Sequence, residues 1–203
     1  GNSIKKNKSL SGRTEETRCF MCNKKTISLN ELIENLGIEE TQRFLTFFQC
    51  SRNPDVEKFL IQKAIRFEQA SAASTHLILN ENGQILAYYA LSFKEIRIEA
   101  SKTLWKKLSG GLGAGNILKV FLIGQIAKNE AISNNPINLS TILDDIYQQI
   151  YLAKRSVGGR VIVLECEDHP NLISHYQKHG FQLLQTVEDE NQLKTMFIVP
   201  AFK

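Results

Sequence analysis

The sequence lacks any long apolar run. Of its 203 residues, 42% are hydrophobic and 23% are charged, yet no uninterrupted apolar stretch approaches the roughly 20 residues that a bilayer-spanning helix needs. The N-terminus also has no apolar segment of the signal-peptide type. This composition is typical of a globular domain, and it predicts a cytoplasmic protein with no membrane partner.

Cysteine is scarce, with four residues at irregular positions: Cys19, Cys22, Cys50 and Cys166. Such spacing in a long chain does not fit a disulfide framework. Cys19 and Cys22 have the spacing of half a zinc site, but no second Cys or His pair follows at the usual distance. We therefore predict no metal site and interpret the cysteines as buried or partly buried thiols.

Excess positive charge is absent from most of the chain. Residues 1–25 contain seven Lys or Arg against Glu15 and Glu16, a net +5, whereas the whole chain carries +4, which leaves −1 for the remainder. Residues 1–18 are polar and aperiodic, which predicts a disordered basic tail before a single domain at residues 19–203. A solvated tail and an arm that contacts RNA both fit this charge. The remainder of the chain does not favour a nucleic-acid binder.

Capping and periodicity signals predict three helices before any strand. A capping box from Ser28 to Glu31 opens a short helix that ends at Gly37. A second short helix begins near Glu39, and a third begins at the pair Asn53-Pro54. The apolar residues expected to face the core are Phe44, Leu45, Phe47 and Phe48 in the second helix and Val56, Leu60, Ala64 and Phe67 in the third.

A hairpin follows the helices. The dipeptide Asn82-Gly83 is well suited to a tight turn, and it separates predicted strands at residues 75–79 and 84–93. Residues 96–108 have a mixed pattern, which we interpret as irregular structure or an extension of the strand.

The stretch with most glycine, residues 109–115, has the sequence Ser-Gly-Gly-Leu-Gly-Ala-Gly. A phosphate-binding P-loop needs a terminal Lys-Ser/Thr and a following helix, and this stretch lacks the lysine and leads into a predicted strand. We interpret it as a flexible connection between two strands.

The remainder predicts a strand, helix and strand unit. Residues 121–127 and 161–164 are short apolar runs rich in β-branched side chains, which favour buried strands. The connection is long enough for a crossover, so the two strands are predicted to be parallel. Two further strands are predicted at residues 182–186 and 192–199, around a polar turn at 188–191. The helix between the first two strands places one apolar stripe at helical spacing: Leu139, Ile142, Leu143, Ile146, Ile150 and Ala153.

This order of elements, the strand ending Ile-Gly-Gln-Ile-Ala and the sequence SHYQKHGF at residues 174–181 resemble the GNAT superfamily of acetyl-CoA-dependent N-acetyltransferases over the last two thirds of the chain. The resemblance implies an α/β (α+β) fold with a mixed central sheet flanked by helices, here with an added N-terminal helical segment. It also implies acetyl-CoA as the acetyl donor and a primary amine as the acceptor, on a small molecule, a protein or an aminoacyl-RNA. Monomer and homodimer are both open.

The resemblance suggests a catalytic acid. Tyr176 lies four residues before Gly180, which matches the tyrosine that in many members protonates the thiolate of coenzyme A. A phenol with a pKa of about 10 suits this role, because it stays protonated at neutral pH. Packing of Tyr176 at the sheet edge is the alternative.

The general base is less defined. Glu165 and Glu167 follow the second strand of the unit, beside the predicted acetyl-transfer site. Because side chains alternate along a strand, both glutamates lie on one face and Cys166 lies on the other. Glu165 is the candidate that we select. Glu95, His175 and a chain of water molecules are the alternatives.

Binding of acetyl-CoA needs donors for its diphosphate and for its thioester carbonyl, and the N-terminus of a helix and the free end of a strand offer such N–H groups. The superfamily's diphosphate loop usually carries Arg/Gln-x-x-Gly-x-Gly/Ala, whereas residues 134–139 are Asn-Asn-Pro-Ile-Asn-Leu. Pro136 removes a donor, while Asn138 tolerates a left-handed conformation and can cap the helix. A fold that has lost its cofactor, and serves as an interaction module, is therefore the alternative. The predicted cofactor contacts are Ile126, Ala127, Lys128, Asn134, Asn138, Leu139, Ser140, Asn171 and Tyr176.

Overall fold

A mixed sheet forms the centre of the molecule. The computed structural model describes residues 24–187 and 192–201, and seven strands of this part form one sheet. The strands are β1 (Lys25–Ser28), β2 (Ser74–Leu79), β3 (Ile85–Arg97), β4 (Ile117–Lys128), β5 (Ile162–Glu167), β6 (Gln182–Leu184) and β7 (Leu193–Ile198). Their spatial order is β1-β2-β3-β4-β5-β7-β6, and neighbours are antiparallel except β4 and β5, which are parallel. The predicted mixed sheet and its parallel pair are confirmed.

Helices cover both faces of this sheet. They are α1 (Leu29–Leu45), α2 (Pro54–Gln62), α3 (Ala64–Gln69), α4 (Lys102–Ser109), α5 (Leu139–Val157) and α6 (Pro170–Gln177). Within the described ranges, none of these helices has the length and apolar character needed to cross a membrane. The predicted tail at residues 1–18, the pair Cys19 and Cys22, and the polar turn at 188–191 lie outside the described residues.

The start of the described chain contains one strand that the sequence did not predict. β1 precedes α1, so the prediction of three helices before any strand was wrong. Its four residues, Lys-Thr-Ile-Ser, are too few for a clear alternation, and pairing with β2 stabilises them. The predicted cap is confirmed, because the Ser28 side chain accepts from the N–H of Glu31 at 3.1 Å. Gly37, with φ 80° and ψ 169°, interrupts α1 where the first helix was predicted to end.

Most of the predicted core residues of this region are buried. Leu45 and Phe48 are fully buried, but Phe47 is 71% exposed, so its predicted inward orientation was wrong. The reason is that α1 ends at Leu45, and the following residues no longer share a helical face. The helix that begins at Pro54 is confirmed, and a bend at Lys63 separates it from α3.

The segment between β3 and β4 contains a helix, α4, where irregular structure or strand was predicted. Ser101 caps its start by accepting from the N–H of Leu104 at 3.2 Å, and Gly110 ends it in the left-handed conformation. The glycine-rich stretch therefore joins a helix to a strand rather than two strands. The indole Nε1 of Trp105 donates to the carbonyl of Gly113 at 3.1 Å.

The two faces of the sheet carry different helices. Tyr88 of β3 packs with α1–α3, and Ile96, eight residues further along, packs under α4. Because both are even-numbered residues of one strand, α1–α3 and α4 cover the same face. Tyr89 points to the opposite face, where α5 and α6 pack. The predicted stripe of α5 is buried there from Ile142 to Ile150, whereas the last residue predicted for it, Ala153, is exposed, so that the stripe ends one turn earlier.

Candidate active site

The sheet divides between β4 and β5. The two strands pair only from Phe121 to Ile123 and from Ile162 to Leu164. Beyond that point β4 continues to Lys128 beside β3, and β5 continues to Glu167 beside β7. The space between the two diverging strands is called the strand gap below.

A β-bulge at Gly124 determines which backbone groups face the strand gap. Gln125 pairs with Ala90 and Ile123 pairs with Leu91, so Gly124 is the extra residue. The N–H of Asn129 donates to the carbonyl of Leu86 in β3 at 2.8 Å. Because N–H directions alternate along a strand, the N–H of Ala127 also faces β3, and those of Ile126 and Lys128 face the gap. The gap therefore presents two backbone donors without a strand partner.

The N-terminus of α5 lies at the same place. Asn138 is its N-cap, in an extended conformation (φ −131°), and its Oδ1 accepts from the N–H of Thr141 at 2.9 Å. The predicted capping by Asn138 is confirmed, whereas the left-handed residue of this loop is Asn134 (φ 52°). Helix geometry leaves the N–H groups of Leu139 and Ser140 without intrahelical acceptors. These donors, at the positive end of the helix dipole, favour an anion.

A small cavity of about 160 Å³ joins the strand gap, the start of α5 and α6. It is lined by Ile126, Ala127, Lys128, Asn138, Leu139, Ile142, His175 and Tyr176. Six of these residues are among the nine predicted cofactor contacts, so the fold brings together residues from three separate segments. Tyr176 packs against Phe181, with ring centroids 6.0 Å apart. Burial, with a smaller contribution from Cys166, raises the pKa of Tyr176 to about 12.

A large cavity of about 630 Å³ lies on the other side of the same strand end. It shares Ile126, Ala127 and Lys128 with the small cavity, and its opposite wall is the α1–α2 loop from Cys50 to Asn53. Its lining includes the apolar side chains of Val56, Ile126 and Ile132, the cationic side chains of Arg52 and Lys128, and the carboxylate of Glu130. Two cavities thus meet at the two free backbone donors of β4.

This architecture has close parallels among solved structures. AtaT complexed with acetyl-methionyl-tRNAfMet superposes with a TM-score of 0.65 at 16% identity, over 87% of this chain and 95% of that one. A tyrosine-to-phenylalanine mutant of KacT gives a TM-score of 0.62 at 15% identity, over 85% and 93% of the two chains. AtaTR bound with AcCoA gives 0.58 at 14% identity, over 87% and 92%. AtaT and KacT have the GNAT fold.

This chain has the GNAT fold. No family model matches the sequence, and no curated protein matches it. The likeness at this level of identity concerns the architecture of this GNAT-fold protein.

The loop after β4 is where this GNAT-fold chain departs from the glycine pattern. Residues 129–138 contain no glycine, and two buried asparagines, Asn129 and Asn135, lie within them. Glu130 accepts from the backbone N–H of Ser51 at 2.8 Å and lies 2.8 Å from Nε of Arg52. Hydrogen bonds from Ser51 and the charge of Arg52 lower the pKa of Glu130. These contacts were not predicted from the sequence, because Glu130 and its partner Ser51 are 79 residues apart in the chain.

Glu165 lies apart from both cavities. Its carboxylate is 2.8 Å from Nζ of Lys94, and both side chains are about one third exposed. The predicted alternation is confirmed, because Cys166 packs in the α5–α6 core and Glu165 points to the opposite face. That face carries α1–α3 and α4 rather than Tyr176.

Three predicted contacts are not brought into the small cavity. Asn134 and Ser140 are exposed on the loop and the first turn of α5. Asn171 is the exposed second residue of α6, whose N-cap is His169. Pro170 occupies the first helical position, where its fixed φ favours the start of a helix.

Proposed function

We propose that this protein is an N-acetyltransferase that transfers the acetyl group of acetyl-CoA to a primary amine. The observation that carries the proposal is the small cavity, in which free backbone donors of β4, the N-terminus of α5 and Tyr176 converge. Three elements supply these groups, and each matches one chemical need of acyl transfer.

The residues of the cavity and of the adjoining first turn of α5 fit acetyl-CoA. The N–H groups of Leu139 and Ser140 suit its diphosphate, because they need no side-chain charge. The N–H groups of Ile126 and Lys128 have no strand partner and suit a carbonyl oxygen. Acetyl-CoA supplies an acetyl thioester, from which amide formation with an amine releases a thiol.

Backbone N–H groups, Tyr176 and Glu165 then stabilise negative charge and transfer protons during the reaction. The N–H groups in the strand gap hold a carbonyl oxygen as it gains negative charge, which stabilises the transition state. Tyr176 donates its phenolic proton to the leaving sulfur and recovers a proton from solvent. Its raised pKa keeps it protonated at neutral pH. Glu165, paired with Lys94, is proposed as the acceptor of the amine proton through intervening water.

The large cavity is the proposed acceptor side, since it opens on the same strand end from the opposite direction. Its volume of about 630 Å³ suits part of a large acceptor. An aminoacyl-tRNA is the first acceptor to test, because the AtaT complex contains acetyl-methionyl-tRNAfMet. Small-molecule and protein amines are the other two classes to test.

One titration examines the proposal. Calorimetry with acetyl-CoA is expected to give binding in the micromolar range, and a flat titration at high protein concentration would leave the interaction module as the better explanation. The glycine-free loop is the observation that favours that second candidate.

Transfer is then followed with radiolabelled acetyl-CoA and the three acceptor classes. Tyr176→Phe is expected to lower turnover about 100-fold or more with little change in acetyl-CoA affinity. Tyr147→Phe is the matched control, because Tyr147 also has its pKa raised to about 12 by burial but does not line the cavity. Glu165→Gln is expected to lower turnover with little change in acetyl-CoA affinity, and unchanged turnover would exclude its role.

A further inference from the structure

Two buried side-chain amides hold the loop that lacks glycine. Asn129 is 1% exposed and Asn135 is 8% exposed. A buried amide is costly unless its donors and acceptor are paired. Both amides are paired, and their partners belong to different parts of the site.

Asn135 holds the approach to α5. Its Nδ2 donates to the carbonyl of Leu86 in β3 at 2.8 Å and to the carbonyl of Asn129 at 3.0 Å. Its Oδ1 accepts from the N–H of Ile137 at 3.1 Å. Ile137 immediately precedes the N-cap Asn138, so Asn135 connects the start of α5 to the sheet.

Asn129 holds the α1–α2 loop. Its Nδ2 donates to the carbonyls of Ile85 at 2.8 Å and Phe47 at 3.3 Å. Its Oδ1 accepts from the N–H groups of Gln49 and Ala131, each at 3.0 Å. The wall of the large cavity is thereby connected to the end of β4.

We infer that Asn129 and Asn135 are positioning residues that divide the transfer site between them, Asn135 fixing the donors at the start of α5 and Asn129 fixing the α1–α2 wall. This inference rests on the proposed function. Side-chain amides here supply the fixed loop geometry that a glycine-rich loop obtains from close backbone approach. Both amides donate to carbonyls at the start of β3, Asn129 to Ile85 and Asn135 to Leu86. The α1–α2 loop and the start of α5 are therefore held by the same part of β3.

The test compares Asn135→Asp with Asn129→Asp. Each change keeps the shape of the side chain but replaces two N–H donors with an acceptor that faces carbonyl oxygens. Asn135→Asp is expected to weaken acetyl-CoA binding about tenfold and to speed hydrogen exchange at residues 137–142. Asn129→Asp is expected to speed exchange at residues 47–51 and to weaken acetyl-CoA binding less than threefold. Asn35→Asp, an exposed change on α1, is the control.

The outcomes separate the inference from the proposed function. A wild-type protein that does not bind acetyl-CoA overturns both. A wild-type protein that binds, with Asn135→Asp binding equally well, overturns the inference alone. Equal weakening of acetyl-CoA binding by both variants indicates a general structural role and also overturns the inference. If an aspartate variant does not fold, Asn135→Gln and Asn129→Gln, which keep the amide on a longer side chain, are compared by the same two measurements.

Discussion

Asp145 connects α5 to two strands, and its removal is expected to destabilise the fold. Its carboxylate accepts from Oγ1 of Thr26 in β1 at 2.8 Å and from the hydroxyl of Tyr89 in β3 at 2.6 Å. Asp145→Ala leaves the fully buried Tyr89 without an acceptor, which costs about 1–3 kcal/mol, and removes the bond to Thr26, which contributes about 0.5–1.5 kcal/mol. The free energy of unfolding should therefore fall by about 1.5–4.5 kcal/mol. Asp144→Ala, at the exposed neighbouring position, should change it by less than about 0.5 kcal/mol.

Urea denaturation followed by circular dichroism measures these values, and a double-mutant cycle tests their origin. Tyr89→Phe should restore part of the stability when it is added to Asp145→Ala, because it removes the unpaired hydroxyl. In the wild-type background the same change should cost about 1 kcal/mol. If Asp145→Ala costs less than about 0.5 kcal/mol, or if Tyr89→Phe has the same effect in both backgrounds, the hydrogen-bond argument is wrong. The result bears on function, because α5 carries the proposed diphosphate donors.

Three further predictions concern a close contact and two titrations. Gly159→Ala should lower the free energy of unfolding by about 1–3 kcal/mol, because φ is +100° and an added Cβ would lie 2.6 Å from Cε2 of Phe121. Gly158→Ala, where φ is +74° and an added Cβ would have no atom within 4 Å, should lower it less in the same urea measurement. Burial lowers the pKa of His76 in the folded protein, an effect that Asp145 opposes. Below about pH 6.5 the unfolded state therefore binds more protons than the folded state does. The melting temperature should fall as the pH falls through that value, and His76→Gln should reduce the slope of melting temperature against pH. Since the pKa of Tyr176 is raised to about 12, turnover should show no loss from its ionisation up to about pH 10, and a Tyr176-dependent decline already near pH 9 would contradict the assigned role.

Long periodic segments made most of the fold predictable. The stripe of α5 and the apolar run of β4 each repeat one pattern over several residues, and burial of one face follows from that pattern. β1 was missed because four residues cannot establish an alternation. α4 was missed because its three large apolar residues, Leu104, Trp105 and Leu108, are too few to establish a helical stripe, although Ser101 and Gly110 mark the two ends of a helix.

The candidate site was predictable only in part. Tyr176, Asn138 and the end of β4 were found because a resemblance and a capping pattern identify them. Asn129 and Asn135 were not found, because an asparagine in a loop is usually exposed and its local sequence does not reveal partners in β3 that are 44 and 49 residues away. The side-chain amides of the loop became visible only when the fold placed them beside β3.

Gly124 makes β4 a strand whose two halves alternate out of phase. Before it, Phe121 and Ile123 face α5, and after it the even-numbered Ile126 does so. A deletion of one residue here would remove the phase change, so one half of the strand would have to present its core side chains to the wrong helices. One residue added or removed in the glycine-rich stretch after α4 would change only the length of an exposed loop. The proposed site therefore lies at the position in this strand where chain length is least free to vary.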